Sequence, residues 1–315
     1  MKIVITDAET VTSGDINLNV FSNLGELQIY DMTAKSQIDE RIAEADILLC
    51  NKTPITAKNI EKAKNLKYIG LFATGFNNID VDFAKQNRIV ICNAPNYSTD
   101  AVAQLTFSYI LNFYSRVSEY NSLVLNHEWI NSKTFSYFPL PTFELSNKTL
   151  GIMGFGAIGK RVCRLAKAFN MNVLVCNRSK ISEKNVKQVD FETLLEKSDI
   201  VSLHCPLNEQ SKGIMNEQAF AKMKKGALFI NTARGPLVDE NALKNALESG
   251  KLVGVGLDVL TTEPMSKDCP LFGIKNCIIT PHIAWAGLET RERLVKIVYE
   301  NVEAFLNGKP KNQVN

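Results

Sequence analysis

Short apolar runs alternate with helix-like segments along nearly the whole chain, and this alternation constrains the fold more than any other feature. It is typical of parallel sheets with helices packed on their faces. The first series of candidate strands predicts a five-stranded unit, formed by Lys2–Thr6, Leu27–Tyr30, Ile47–Cys50, Tyr68–Phe72 and Ile89–Cys92. The second series predicts a six-stranded, doubly wound sheet that starts at Thr149 and continues through Val173–Cys176, Ile200–Cys205, Ala227–Asn231, Val253–Val259 and Cys277–Thr280.

The length of 315 residues exceeds what a single hydrophobic core usually supports. We therefore expect two Rossmann-like α/β domains with a cleft between them. Residues 1–98 plus 287–315 would form a flavodoxin-like domain, and residues 99–286 would form the doubly wound domain.

Two helices stand out between and after these series. Apolar residues at helical spacing predict one long helix over Ser98–Leu125. The spacing of Leu294, Val298 and Val302 predicts a last helix that packs on the first unit and stops near Asn307–Gly308.

Composition and charge exclude several classes of protein. A net charge of +3 without a run of like charges is not the charge pattern of a nucleic-acid-binding protein. No apolar run approaches the roughly 18 residues of a membrane span. Met1–Asp7 lacks the features of a signal peptide, so we expect a cytoplasmic protein. The seven cysteines form no CxxC pair, so we expect neither disulfides nor a metal site.

A glycine-rich turn carries the cofactor signal. It follows the apolar strand Leu150–Met153 and opens a helix-like segment, which is the context that makes a GxGxxG motif specific for a dinucleotide. The glycines allow a tight turn, approach of the backbone to a pyrophosphate and close helix packing, while the helix N-terminus favours phosphate. The residues of the turn are Gly154, Phe155, Gly156, Ala157, Ile158 and Gly159.

The end of the next strand bears on the choice between the two nicotinamide cofactors. NAD enzymes usually place an acidic residue there to bind the ribose hydroxyls, whereas this chain has Asn177-Arg178-Ser179 followed by Lys180. The arginine offers charge and hydrogen bonds suited to a 2′-phosphate. The sequence therefore favours NADP, with NAD as the other possibility.

Three residues with complementary chemistry follow later strands of this series: Arg234, Glu263 and His282. They lie where an open α/β sheet builds its ligand crevice. Arginine can hold a carboxylate with two hydrogen bonds, histidine can transfer a proton at neutral pH, and glutamate can orient the imidazole. Each alone would suit an ordinary structural role, but together they predict an active site.

Nearly the whole chain resembles the D-isomer-specific 2-hydroxyacid dehydrogenase family. The resemblance rests on GFGAIG at 154–159, NTARGPLVDE at 231–240, LDV at 257–259 with Glu263-Pro264, and TPHIAW at 280–285. It implies NAD(P)H-dependent reduction of a small 2-keto acid to its D-2-hydroxy acid.

The resemblance also implies roles for individual residues. Arg234 would bind the substrate carboxylate and carbonyl, His282 would be the acid/base, and Glu263 would sustain its protonation. Further substrate contacts would come from Asn51, Lys52, Thr74 and Gly75. To the cofactor contacts already inferred for Asn177, Arg178 and Ser179, the resemblance adds Thr99, His204, Pro206, Thr232 and Asp258, the last near the nicotinamide.

Residues 131–147 carry four aromatics and two prolines without a clear period and predict an ordered, irregular structure. The overlapping segment Trp129–Phe143 resembles, in its core Phe135–Leu140, the glycerate dehydrogenase or hydroxypyruvate reductase subgroup, in which it belongs to the dimer-forming loop. The resemblance therefore implies a homodimer and favours hydroxypyruvate or glyoxylate as substrate, with D-glycerate or glycolate as product.

Two alternatives remain open at this point. One is a dinucleotide-sensing protein like the corepressors that share this fold. The other is a formate or phosphonate dehydrogenase, which would usually carry insertions in the first unit.

Overall fold

The computed structural model describes residues 1–184 and 186–315. It divides into two compact units, one of Met1–Ser98 with Trp285–Asn315 and one of Thr99–Ala284. Each unit is built on its own parallel sheet with helices, which confirms the predicted fold class of two Rossmann-like domains.

The first unit contains a five-stranded parallel sheet in the order β2-β1-β3-β4-β5. The central strands are buried on both faces, which explains why their sequences are apolar without alternation. The strands are β1 Lys2–Ile5, β2 Glu26–Ile29, β3 Ile47–Cys50, β4 Tyr68–Leu71 and β5 Val90–Cys92. The helices within this stretch are α1 Ile38–Ile42, α2 Ala57–Lys62 and α3 Val81–Gln86.

The second unit opens with α4 Thr99–Ser115 and α5 Val117–Leu125. Its seven parallel strands follow the order β12-β11-β10-β9-β6-β7-β8. They are β6 Thr149–Met153, β7 Asn172–Cys176, β8 Lys187–Gln188, β9 Ile200–Leu203, β10 Ala227–Asn231, β11 Leu252–Leu257 and β12 Cys277–Ile279. The helices among them are α6 Ala157–Ala168, α7 Phe191–Lys197, α8 Glu217–Lys222 and α9 Glu240–Glu248.

Two sequence-based expectations for this unit were wrong in detail. The sheet has seven strands instead of six because β8 is a two-residue polar strand, too short to leave an apolar pattern. The predicted long helix is interrupted at Arg116, whose φ of 53° lies in the left-handed region. The Arg116 side chain, between the two helices, pairs with Glu119 in the first turn of α5. The spacing of apolar residues, from which a single helix was predicted, carries no information about this polar contact.

The last helix, α10 Leu288–Leu306, belongs to the first unit, as its periodicity predicts. Leu294, Val298 and Val302 are buried in the same cluster as residues of β1 and β3. Asn307 caps the helix and Gly308 follows with a φ of 71°.

The segment of residues 131–147 in the second unit is irregular, as the sequence predicts. It is tied by local hydrogen bonds, including one from the Trp129 indole to the Phe135 carbonyl oxygen at 3.0 Å and one from the Tyr137 hydroxyl to Glu128 at 2.6 Å. Nevertheless Phe135 and Phe138 are 94% and 78% exposed. Within the described parts of the chain, no helix is both long enough and apolar enough to cross a membrane.

Candidate active site

The glycine-rich turn lies between β6 and α6, as the motif predicts, and two of its glycines leave no room for a side chain. Gly154 has a φ of 92°, and a Cβ there would be 2.6 Å from the Cys205 nitrogen. A Cβ on Gly159 would be 2.2 Å from the Gly154 carbonyl oxygen. These positions let α6 begin directly over the end of β6.

The third glycine differs, because a Cβ on Gly156 would meet no atom of the described residues within 4 Å. Gly156 is also the N-cap of α6 and supplies no side chain to the first-turn N–H groups. Beyond β9, the buried Nδ1 atom of His204 has no hydrogen-bond partner among the described residues, and burial lowers the His204 pKa to about 3. Open space, free N–H groups and an unpaired polar atom fit a bound dinucleotide.

The loop after β7 carries the predicted cofactor-selecting residues. The Phe155 backbone N–H donates to the Asn177 side-chain oxygen at 3.1 Å, which ties this loop to the glycine-rich turn. The Asn177 amide in turn donates to the Ser179 carbonyl oxygen at 2.9 Å. Arg178 and Ser179 are both exposed, so both are accessible to a ligand.

His282 and Glu263 form the acid/base pair that the sequence predicts. The His282 Nδ1 atom lies 2.7 Å from Glu263 Oε2, and Glu263 Oε1 accepts a hydrogen bond from the Leu260 N–H at 2.9 Å. His282 has a φ of 56°. Because this conformation costs a non-glycine residue about 1–3 kcal/mol, the surrounding hydrogen bonds must hold it in place.

Asp258 supplies several of those bonds. Its carboxylate is 1% exposed and accepts from the N–H groups of Ile283 and Ala284, both at 2.8 Å, and from the Thr280 hydroxyl. Burial raises the Asp258 pKa, and these hydrogen bonds together with nearby His282 act in the opposite direction. In the structure, then, Asp258 fixes the backbone on either side of the histidine.

Arg234 follows β10 in a loop that Asn231 braces. The buried Asn231 side chain accepts from the Ala233 N–H at 3.0 Å and donates to the Arg234 carbonyl oxygen at 2.9 Å. A Cβ on Gly235 would be 1.9 Å from the Leu260 carbonyl carbon, so only glycine allows this loop to approach the one that carries Glu263. Arg234 itself is exposed, and its guanidinium donates to the Ala233 carbonyl oxygen at 2.6 Å.

The other cofactor candidates of this unit occupy strand ends and the start of α4. Thr232 is 7% exposed, and its hydroxyl lies 3.2 Å from that of Thr106 on α4. Pro206 is exposed after β9, and Thr99 is the first residue of α4. Because all strands of the sheet are parallel, the loops after them share one edge.

In the first unit, the substrate candidates follow β3 and β4. Asn51 is buried and its side chain donates to the Thr10 carbonyl oxygen at 3.1 Å, whereas the Lys52 side chain is exposed. Exposed Thr74 donates its hydroxyl to the Ala94 carbonyl oxygen at 2.7 Å, and Gly75 follows it in the same loop.

The sequence did not reveal three residues that organise these loops. Buried Asp7 accepts from the backbone N–H groups of Asn51, Lys52 and Thr53 at 2.6–2.9 Å. Tyr109 on α4 reaches the end of β11, and Gln188 on β8 contacts the loop after β7. Of the three, only Tyr109 left a signal, because the glycines of LVGVGL in β11 make room for a ring.

A glycine-rich turn and an imidazole–carboxylate pair at the carboxyl ends of one parallel sheet define a nicotinamide-dependent dehydrogenase. More narrowly, the chain belongs to the D-isomer specific 2-hydroxyacid dehydrogenase family, whose NAD-binding domain model matches residues 107–284. It is therefore an enzyme that interconverts 2-keto acids and D-2-hydroxy acids. This membership disfavours the sensor and the formate or phosphonate dehydrogenase alternatives.

Individual relatives agree with this assignment. The chain is 40% identical to a hydroxypyruvate reductase of Blautia hydrogenotrophica, with both chains covered completely. It is 36% identical to a glycerate dehydrogenase of Methylorubrum extorquens, over 99% of this chain and 98% of that one. Among solved structures, an acyclic imino acid reductase in complex with NADPH and D-Arg superposes with a TM-score of 0.89 at 34% identity, over the full length of both chains.

Proposed function

We propose that this enzyme uses NADPH to reduce hydroxypyruvate or glyoxylate, with D-glycerate or glycolate as the product. The observation that carries the proposal is the His282–Glu263 pair, at 2.7 Å, on the same sheet edge as the glycine-rich turn. The names of the two relatives above, a hydroxypyruvate reductase and a glycerate dehydrogenase, support this substrate class.

His282 is the proton donor in the proposed reduction. Since its Nδ1 faces Glu263, the other ring nitrogen, Nε2, is the one that exchanges a proton with the substrate. When bound, a nicotinamide cofactor would supply hydride to the keto carbon, and the keto oxygen would then gain negative charge. His282 protonates that oxygen, and the Glu263 carboxylate stabilises the imidazolium form that donates the proton.

Arg234 accounts for the preference for a 2-keto acid over a simple ketone. Its exposed guanidinium can bind a carboxylate through two hydrogen bonds and also polarise the neighbouring carbonyl group. In the first unit, which we propose as the substrate domain, Asn51 and Lys52 would contact the substrate as well. The backbone N–H groups of Thr74 and Gly75 would receive its carboxylate.

The second unit is the proposed cofactor domain, and its loop after β7 favours NADPH. Asn177, Arg178, Ser179 and Lys180 present no carboxylate that would repel a 2′-phosphate. Exposed Arg178 supplies a guanidinium, and exposed Ser179 a hydroxyl, as donors to that group. The solved imino acid reductase, which contains NADPH, is consistent with this choice.

We also propose a homodimer formed through the irregular segment of the second unit. Monomeric proteins rarely expose several large apolar side chains together. Here Ile130, Phe135 and Phe138 are 73%, 94% and 78% exposed within nine residues of chain. A Phe135→Glu, Phe138→Glu variant should shift the mass measured by light scattering from dimer to monomer, and an unchanged mass would exclude this surface. Cytoplasmic location stays a prediction of the sequence.

The test of the reaction is the loss of absorbance of NADPH, and separately of NADH, with hydroxypyruvate, glyoxylate and pyruvate. Turnover fastest with NADPH and hydroxypyruvate or glyoxylate is the expected result. Faster turnover with NADH would overturn the cofactor assignment alone. Failure to reduce any of these acids, with both cofactors still bound, would overturn the substrate assignment.

A further inference from the structure

The side chain of Gln188 holds the loop that follows β7. Its Oε1 accepts from the Ile181 backbone N–H at 2.9 Å. Its Nε2 donates to the carbonyl oxygens of Asn177 at 2.9 Å and Ser179 at 3.1 Å. One amide group thus contacts the backbone on both sides of Arg178.

The position of Gln188 in the sheet is fixed independently of this loop. Strand β8 pairs with β7 in parallel, with Gln188 opposite Val175, and the Val189 N–H donates to the Val175 carbonyl oxygen at 2.9 Å. Gln188 therefore connects the loop to the sheet. The two-residue strand β8 thus serves to anchor the loop after β7, through Gln188, to the sheet.

We propose that Gln188 is a positioning residue that sets the preference between the phosphorylated and unphosphorylated dinucleotide. This inference rests on the proposed function, in which Arg178 meets the 2′-phosphate. NADPH and NADH differ only in that phosphate, so only interactions at that group can separate them. A guanidinium on a fixed loop loses less freedom when it binds an anion than one on a mobile loop.

Both functional groups of the Gln188 amide are needed for this role. The Oε1 atom is an acceptor for one backbone N–H, and the Nε2 group is a donor to two carbonyl oxygens. Methionine has a similar length and neither group, so Gln188→Met removes the hydrogen bonds with little change in volume. Asparagine keeps the amide on a shorter side chain and serves as a second variant.

The experiment compares wild type, Gln188→Met, Gln188→Asn and the control Lys187→Gln, which alters the exposed neighbour on the same strand. Calorimetry gives Kd for NADP⁺ and NAD⁺, and steady-state kinetics gives kcat and KM with NADPH and NADH. Hydrogen exchange of the Ile181 amide, measured without cofactor, reports directly on the loop.

For Gln188→Met we expect faster exchange at Ile181 and a roughly tenfold rise in Kd and KM for the phosphorylated cofactor. Kd for NAD⁺, KM for NADH and kcat should stay within about twofold of the wild-type values. The control Lys187→Gln should resemble wild type in all of these quantities. Equal weakening of both cofactors, or an unchanged ratio between them, would overturn the proposal. If Gln188→Met does not fold, the same criteria apply to Gln188→Asn.

The failure of this inference can be told apart from that of the proposed cofactor. A wild-type enzyme that prefers NADH refutes the NADPH assignment. In that case, a comparison of the ratio of Kd for NADP⁺ to Kd for NAD⁺ between wild type and the Gln188 variants still decides whether Gln188 sets the cofactor preference.

Discussion

The hydroxyl group of Tyr109 lies 2.5 Å from that of Thr280 and donates to the Leu257 carbonyl oxygen at 2.9 Å. The tyrosine ring reaches this position because residue 256 is glycine, where a Cβ would be 2.6 Å from the ring. Helix α4 is thereby joined to the end of β11, just before Asp258, and to the segment that leads to His282.

Replacement of Tyr109 by phenylalanine should therefore impair catalysis more than cofactor binding. The variant keeps the ring and loses one hydroxyl that has two hydrogen-bond partners, at a cost of about 1–2 kcal/mol in the free energy of unfolding. We expect kcat to fall about tenfold, because a loss of about 1.4 kcal/mol in positioning corresponds to that factor.

The matched control is Tyr114→Phe, which removes a hydroxyl from the same helix. No hydrogen bond joins the Tyr114 hydroxyl to the loops of the site in the part of the chain that the structure describes. Steady-state kinetics and NADP⁺ titrations on both variants make the comparison. Equal effects of the two changes on kcat would show that Tyr109 acts only through general stability.

His282 and Glu263 should contribute unequally to the reaction. A His282→Asn variant removes the proton donor and should lower kcat by about 10²- to 10⁴-fold. A Glu263→Gln variant keeps the shape and loses the charge beside the imidazole. Because a hydrogen bond to a charged group contributes about 1.5–3 kcal/mol, this loss should be about 10- to 100-fold.

The double variant distinguishes a shared role from two independent ones. If Glu263 acts through His282, combining the changes should lower kcat little further than His282→Asn alone. Multiplication of the two single losses would contradict the proposed acid/base pair.

The sequence predicted where most of the strands lie along the chain, and the main loops of the site, because both depend on local patterns. The apolar run of β6 and the three glycines after it specify strand, turn and helix within a short stretch. Likewise, Glu263 and His282 follow β11 and β12, and the parallel sheet brings their loops to one edge.

The features that sequence reasoning missed depend on contacts between distant parts of the chain. Asp7 ends an apolar run, and only the fold places its carboxylate against the N–H groups of residues 51–53. Gln188 belongs to a polar stretch without any period, and its partners are seven to eleven residues away. Such hydrogen bonds leave no periodic signal along the chain.

Replacement of Gly156 by alanine should weaken cofactor binding without lowering the stability of the protein. In the part of the chain that the structure describes, an added Cβ would meet no atom within 4 Å, and φ is −75°, so alanine fits without strain. Gly156→Ala should therefore unfold at the wild-type temperature within a few degrees. The same methyl group would occupy the space assigned to the pyrophosphate, so we expect Kd for NADP⁺ to rise at least about tenfold.

Gly154→Ala is the informative contrast, because there a Cβ would be 2.6 Å from the Cys205 nitrogen at a φ of 92°. That variant should lose stability as well as cofactor affinity. Unchanged NADP⁺ binding by Gly156→Ala, measured by calorimetry, would contradict the assignment of the turn to the cofactor.

The His204 imidazole, whose Nδ1 atom has no hydrogen-bond partner among the described residues, predicts how stability depends on pH. Burial lowers the pKa of His204 to about 3 in the folded protein. In the unfolded chain a histidine has a pKa of about 6.5. Between these values the unfolded state binds the extra proton, so this group lowers stability as the pH falls below about 6.5. The difference between the two pKa values limits the contribution of His204 between pH 7 and pH 5 to about 2 kcal/mol, and its partial exposure lowers this further.

Urea unfolding of wild type and His204→Asn at several pH values between 7 and 5 measures this contribution. Both proteins should lose stability in acid because other groups also titrate. The wild type should lose more, by up to about 2 kcal/mol at pH 5. If the free energies of unfolding of the two proteins fall in parallel with pH, His204 takes up its proton in the folded state as readily as in the unfolded chain. The Nδ1 atom would then have a partner in solution, and it could not be the unpaired polar atom that we assign to the cofactor site.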